Sequence, residues 1–422
     1  MSRFPKLILV AFFSWSAFLF AQPARCEEAA PPLGTAATSS TRLPDKGSPD
    51  EPVSHKAHTL EVVAECYDQM PRGVAVTNDN RIFLCFPKHD DKSPYTLAEL
   101  VGKTFVPYPN EATNKLDTED PKNHFISVMS AVVDNKKRLW LLDSGRLNRQ
   151  LVKGGPKLVA VDLSSGQIVK NISFPDNVVL PKTILTDLEI DPVIGHDGTA
   201  IIADSAPEGE SAFIVVDLAT GKSMRRLNKH RSVMADFAYV IFAEGRMVRI
   251  RTSETDKRDW TPGLSGLALS PNGKELYYSP LASSELYQVS TDKLCDPTFR
   301  DADIEKTVKS LGQVMGTSDG LECDSQNRIY LTDVQFSSIW RRNTDGKLEK
   351  LVRDPRLVWP ERLCLAHDGY LYVIASQLNR APLFHYGQDL RTKPYQVFRI
   401  KVNAQPVQPS TKATSKAPVS SK

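Results

Sequence analysis

The chain has little of what builds metal-ribbon, redox and nucleotide-binding proteins. Of 422 residues only 6 are cysteine and 8 are histidine. No two cysteines form a Cys-x-x-Cys pair, which excludes a zinc ribbon and a thioredoxin-type redox site. Glycine, at 22 residues, is far too scarce for collagen, and 41% hydrophobic residues excludes wholesale disorder. The 53 basic side chains nearly cancel the 50 acidic ones, leaving a net charge of +3. Such a mixed surface lacks the clustered basic face that a nucleic acid needs, so no nucleic-acid partner is expected. There is no Gly-x-Ser-x-Gly, His-Glu-x-x-His or P-loop, and no Gly-x-Gly-x-x-Gly between a strand and a helix. Beyond Ala21 no apolar run approaches the ~20 residues that span a bilayer, so no stable membrane insertion is expected.

What is present begins with an N-terminal address. Arg3 and Lys6 precede an almost unbroken apolar run from Leu7 to Ala21, and the small residues Ala21 and Ala24 lead into an acidic, Pro-rich stretch. Residues 1–26 therefore read as a secretory signal peptide, and the mature chain is expected to be secreted or periplasmic. Cleavage on either side of Ala24 fits the pattern, which leaves the fate of Cys26 open. Residues 27–59 and 403–422 carry Pro, Ser, Thr and Lys with few bulky apolar residues. Neither segment buries enough to offset its ordering entropy, so both read as disordered tethers. His55 and His58 have metal-like spacing, but two ligands on a tether make no site.

Between residues 60 and 402 the dominant signal is repetition. A polar lead, an alternating apolar run, an Asp/Asn/Gly-type turn and a second β-rich run recur six times. The copies include RGVAVTNDNRIFLCF from Arg72, MSAVVDNKKRLWLLD from Met129 and SGLALSPNGKELYYS from Ser265. Further copies start at Thr186, Asp319 and Glu361, at intervals of 57, 57, 79, 54 and 42 residues. The alternation suits strands with one buried face, and the turns use residues that tolerate left-handed backbone. Third and fourth strands recur in LVAVDLSSGQIVKNI, AFIVVDLATGKSMRRL, ELYQVSTDKL, SIWRRNTDGKLEKLV and QVFRIKV. Four-stranded antiparallel units that cannot bury their faces alone bury one another when stacked radially. The expected fold is all-β, a six-bladed β-propeller with four-stranded antiparallel blades. The outer strand of the first blade is expected to come from one chain terminus, closing the ring. Residues 87–124, with a short helix around Leu97–Val101, and residues 228–262 read as inserts, and 301–312 reads as an amphipathic helix.

LWLLDSGRL (139–147), LTDLEIDP (185–192), GLALSPNGKELYYSPLASSELYQV (266–289), SDGLECDSQNRIYLTD (318–333) and PYQVFRIKV (394–402) resemble the yellow/major royal jelly protein family. The resemblance covers most of residues 60–402 and implies a secreted six-bladed propeller. Some insect members of that family are linked to dopachrome conversion in melanin formation, and others bind small amines. More distantly the chain resembles the gluconolactonase/regucalcin propellers, which hold one divalent cation through a Glu, an Asn and an Asp. Asp319 matches that Asp. The Asn and Glu positions read Ser265 and Arg72. No cofactor or resident metal is therefore expected, and a divalent cation, were one held, would sit on Asp319.

The residue opening each innermost strand should lie around the tunnel mouth. That column reads Arg72, Met129, Thr186, Ser265, Asp319 and Glu361, with Ser127, Asp187, Ser318 and Arg362 beside it. Such a mixed ring suits a small polar or amine-bearing ligand, with carboxylates for an ammonium and hydroxyls for polar groups. Asp143, Asp204 and Asp333 close second strands, and Asp162 and Asp217 sit in hairpins; all five are expected to bind turn amides. Glu189 and Glu322 are expected inside the tunnel, with Glu322 near Asp319. His124, His196, His230, His367 and His385 are scattered, and of these His230 and His385 are the first to test as a general base. Export permits disulfides, and a Cys66–Cys85 pair within the first blade is one alternative that the sequence leaves open, while Cys323 and Cys364 are expected as buried thiols.

The function expected is that of an exported propeller binding a small aromatic, amine or polar ligand at the tunnel mouth. A dopachrome-type isomerase, a divergent metal-dependent lactonase and a protein-interaction scaffold are the alternatives. The sequence carries no signal for oligomeric state.

Overall fold

A computed structural model describes residues 58–88, 93–207 and 210–407. The signal-peptide segment, residues 27–57 and residues beyond 407 lie outside the described residues. Six antiparallel four-stranded sheets form the blades of a β-propeller. Blade one comprises Gly73–Val76, Ile82–Cys85, Leu97–Val101 and Thr104–Pro107. The innermost strands of blades two to six are Val128–Val133, Leu185–Asp191, Leu264–Leu269, Leu321–Cys323 and Pro360–Leu365. Each packs against the innermost strands on either side, including Gly73–Val76 against Pro360–Leu365, so the ring is closed.

Burial between blades holds the ring. Six apolar clusters lie one at each blade interface. Phe83, Leu139 and Val159 lie between blades one and two, Trp140, Leu188 and Ile202 between two and three, and Leu84, Ile374 and Val397 between six and one. A seventh cluster joins loop residues 235–260 to 378–384 on the ring side of the propeller. The turns after the innermost strands work as their composition implies. Their last residues, Asn80, Lys137, Gly198, Gly273, Asn327 and Gly369, all have positive φ. Only Lys137 meets that requirement with an unfavoured side chain.

Several local expectations change. The closing strand is Leu60–Cys66, and it pairs with Tyr395–Lys401 as the outer strand of blade six, not of blade one. Leu97–Val101 is a strand, because its apolar side chains pair with Ile82–Cys85. ELYQVSTDKL holds one strand, Glu285–Ser290, and then a helix, Thr291–Cys295. The blade's fourth strand, Lys309–Gln313, follows a second helical turn at Asp301–Glu305. Cys66 and Cys85 therefore stand in different blades, and both are free thiols. Asn403 donates to the Gly369 carbonyl of blade six, and residues 405–407 lie against blade five, with Pro406 bridging to Asp324. No helix among the described residues is long and apolar enough to cross a membrane.

Candidate functional site

The ring residues owe their positions to a break in strand pairing. In blades two, three, four and six the innermost strand carries one extra residue against its neighbour. The breaks fall between Val128 and Ser130, Leu185 and Leu188, Leu264 and Gly266, and Pro360 and Leu363. A bulge re-aims side chains at the start of a strand, and these four bulges contain Met129, Thr186, Ser265 and Glu361. In three blades the ring residue is followed by glycine, which lets adjacent strands approach. A Cβ on Gly320 would stand 2.3 Å from the Glu361 carbonyl oxygen, and one on Gly73 would stand 2.8 Å from that of Met129.

All six ring residues line one cavity, joined by Ser130, Asp187 and Arg362. Its volume is about 20 Å³, room for roughly one water. Arg72 donates from Nε to Glu361 Oε2 at 2.5 Å and lies 3.8 Å from Asp319 Oδ2 through Nη2. Asp319 also accepts from Ser265 Oγ and from the Trp359 indole N–H, each at 2.7 Å. Ser376 donates to Glu361 Oε1 at 2.5 Å. The carboxylate side chains are only 5% and 3% exposed, so this is a buried network and not a solvated channel. Burial pushes the Glu361 carboxyl up to about 7; Arg72 and Ser376 oppose the rise and Asp319 adds to it. Burial alone would lower the Arg72 pKa, but Glu361 and Asp319 hold it above its ordinary value.

A second tier lies one step along the axis. Arg362 pairs with Asp187, donates to Leu188 O at 3.2 Å and reaches Glu189 Oε1 at 3.3 Å. Asp187 also accepts from Ser130 Oγ at 3.2 Å and from Leu267 N at 3.1 Å, which ties blades two, three, four and six together. Glu322 does not face Asp319 as expected. Its like-charged neighbour is Glu189, whose pKa rises from burial and then from Glu322. Burial also lifts Glu322, to about 7, against two backbone N–H bonds that favour its charged form.

The remaining candidates sort by their contacts. Asp143 accepts from the backbone of Ile126, Ser127 and Gly145, and Asp204 from Ile184 and Ala206. Asp333, Asp162 and Asp217 hold turn amides in the same way. Asp143 and Asp204 also carry buried ion pairs, to Lys157 at 2.7 Å and Arg225 at 2.8 Å. His230 bonds Ser232, and burial lowers its pKa; His385 bonds Asn379 O at 2.9 Å. Neither lines the ring cavity. Nor do Ser127 and Ser318, whereas Asp187 and Arg362 do. Cys323 is buried and Cys364 half-buried, and burial pushes the Cys364 thiol up to about 12. Sequence reading missed Trp359 and Ser376, the direct partners of Asp319 and Glu361, because both lie in loop positions outside the repeat column. It also missed Trp260 and Phe384: the Trp260 ring lies 5.8 Å from that of Trp359 and 5.0 Å from that of Phe384, centroid to centroid.

The divalent cation that the gluconolactonase resemblance implies does not fit these residues. A hard cation wants several oxygen ligands. Here a guanidinium stands where the Glu would be, and both Asp319 oxygens accept protein hydrogen bonds.

The major royal jelly protein family model matches residues 126–407. Major royal jelly protein 7 of Apis mellifera is 30% identical over 307 residues, 66% of this chain and 65% of that protein. Major royal jelly protein 1 of the same insect is 29% identical over 48% of this chain and 45% of its own length. A yellow-related salivary protein of Lutzomyia longipalpis is 24% identical over 53% of this chain and 57% of its own. The chain thus spans less than two thirds of the length of each of these relatives. Among solved structures, a calcium-binding protein, regucalcin, from Agrobacterium tumefaciens superposes with a TM-score of 0.53 at 13% identity, covering 83% of this chain and 97% of that one. A luciferin-regenerating enzyme gives 0.52 at 13% identity, covering 84% and 99%. These two likenesses show the fold alone. A family match from the second blade to the end of the sixth, on a closed six-bladed ring, places this chain in the major royal jelly protein family.

Proposed function

We propose that the protein is an exported binding propeller that holds a small polar or amine-bearing ligand at the ring. The observation that carries this reading is one guanidinium set between two buried carboxylates, beside a space of about 20 Å³. That space suits an ammonium head group in size. Three carboxyl groups, of Asp187, Asp319 and Glu361, face the two guanidiniums of Arg72 and Arg362 in the cavity wall, so an incoming cation meets an excess of negative charge; Thr186 and Ser265 offer hydroxyls. Export is supported by the pattern of residues 1–26 and by relatives named for royal jelly and saliva.

A second reading, a dopachrome-type isomerase, is favoured by one specific observation. Glu361, with its pKa lifted to about 7, is poised to exchange a proton near neutral pH. One set of proteins tests both readings. Purified wild type, Asp319→Ala and Glu361→Ala are titrated calorimetrically with catecholamines and indoleamines and assayed for dopachrome turnover. Binding that weakens at least tenfold in both variants, without turnover, supports the binding reading. Turnover that Glu361→Ala abolishes supports the isomerase. Affinity for a bound amine that is unchanged in both variants overturns the ring assignment.

A further inference from the structure

The propeller axis holds a second, larger space at the end away from the ring. The innermost strands run from the ring residues to the turns after them. Four of those turns, through Asn78, Asn135, Pro192 and His367, wall a chamber of about 570 Å³. Val74 and Leu269 line it as well, yet more of its surface is polar than apolar. Its carboxyl groups are those of Asp134, Glu189 and Glu322. Arg362 lines both this chamber and the ring cavity, and so forms the partition between them.

Two groups in this wall lack the partner their chemistry calls for. Asp134 is neutralised by Arg138 at 2.7 Å, and Arg362 is shared between Asp187 and Glu189. Glu322 has no cationic partner among the described residues; the bonds it accepts come from the backbone of Cys323 at 2.9 Å and of Leu365 at 3.1 Å. Arg362 Nε, on a side chain only 10% exposed, has no acceptor among the described residues. A buried donor left without an acceptor is costly. An occupant that satisfies both groups brings a cation to Glu322 and an oxygen acceptor to Arg362. A metal ion or a bare ammonium group has no acceptor to give. A polypeptide segment with lysine, hydroxyl side chains and backbone carbonyls supplies both.

The chain itself brings such a segment to this opening. Beyond the last blade strand, Ser325 of blade five donates to the Gln405 carbonyl at 2.9 Å, and Pro406 bridges to Asp324. Pro406 and Val407 then stand in the chamber wall. Residues 408–422, QPSTKATSKAPVSSK, lie outside the described residues; they include Lys412, Lys416 and Lys422, six hydroxyl side chains and no acid. Lys412 is five residues beyond Val407. Five residues reach up to ~17 Å, against a breadth of roughly 10 Å for a sphere of the chamber's volume. Attachment to the same chain raises the local concentration into the millimolar range, so a contact that is weak between separate molecules holds within one.

We propose that this chamber is the docking site of the chain's own residues 408–422. Lys412 pairs with Glu322, and a carbonyl or hydroxyl oxygen of Ser410 or Thr411 accepts from Arg362 Nε. The docked segment closes the axis at this end and leaves the ring side as the way in. This goes beyond the binding reading of the ring and stands if that reading fails.

The Cys364 thiol lines the chamber and reports on its closure, because access governs thiol alkylation. Its reaction with iodoacetamide at pH 8, mapped by mass spectrometry, is compared in the full chain, in a chain ending at Val407 and in Lys412→Gln. Every blade strand precedes Val407, so neither variant removes part of the chamber wall. Alkylation at least fivefold faster in both variants is expected, slowed again when a synthetic 408–422 peptide is added to the shortened chain. Equal rates in the full and shortened chains overturn the proposal. A rate in the full chain that falls as protein concentration rises seats a second copy's segment in the chamber and overturns it as well. Carbodiimide coupling of the full chain gives a reading that needs no variant. A Lys412–Glu322 cross-link supports the proposal; cross-links from the three lysines only to carboxyl groups outside the chamber, or none, overturn it.

Discussion

At the scale of single residues, the axis is dominated by carboxyl groups held away from water. Glu361 has a folded pKa of about 7 against an ordinary value of 4.5. The folded chain therefore binds this proton more tightly than the unfolded chain does. Its contribution to stability is fully present below about pH 4.5 and is lost as pH rises through about 7. Glutamine mimics the protonated acid, so Glu361→Gln should match wild type near pH 4.5 and exceed it at pH 8. The gap is on the order of 3 kcal/mol. Urea midpoints of the two proteins across that range check this, and a variant that is less stable than wild type at pH 8 contradicts it. The ring column was legible in the sequence because each member opens a copy of the same strand–turn–strand pattern. The partners Trp359 and Ser376 were not, because a loop residue has no periodic position and is brought to the ring only by folding.

At the scale of elements, the innermost strands are governed by how closely they approach at the ring. Gly320 is the tightest point, with the Glu361 backbone where a side chain would begin. Gly320→Ala should therefore cost roughly 1–3 kcal/mol through overpacking. It should also disturb the Trp359–Asp319 bond, shifting tryptophan fluorescence; an unchanged melting temperature and spectrum would show that the strands can part freely. Strand identity was legible wherever a run alternated and ended in a tight turn. It failed at Leu97–Val101, where a short mixed run reads equally as a helical turn, and pairing with Ile82–Cys85 decides the matter. The bulges were invisible, since an extra residue in a strand leaves no mark on composition.

At the scale of the whole molecule, stability depends on closure. The outer strand of the sixth blade comes from Leu60–Cys66, and Leu60, Ala64 and Cys66 are buried in the adjoining cores. Removing residues 1–66 would leave Tyr395–Lys401 as a bare edge and open those cores. The expected loss is on the order of 5 kcal/mol, read as a lower urea midpoint or as insoluble protein. Removal of residues 1–54 alone should leave the midpoint unchanged. If both truncations behave alike, the N-terminal strand does not close the ring.

By itself the sequence determined the blade count, the antiparallel strands and the family, because these rest on local alternation, turn chemistry and a repeated spacing that each segment carries within itself. Only the tertiary structure decided which terminus closes the ring, that the ring is a buried network, that Glu189 and not Asp319 neighbours Glu322, and that the larger chamber lies at the far end of the axis. Those outcomes depend on distances between blades remote in sequence, where the balance of burial and charge is set by neighbours that no single repeat contains.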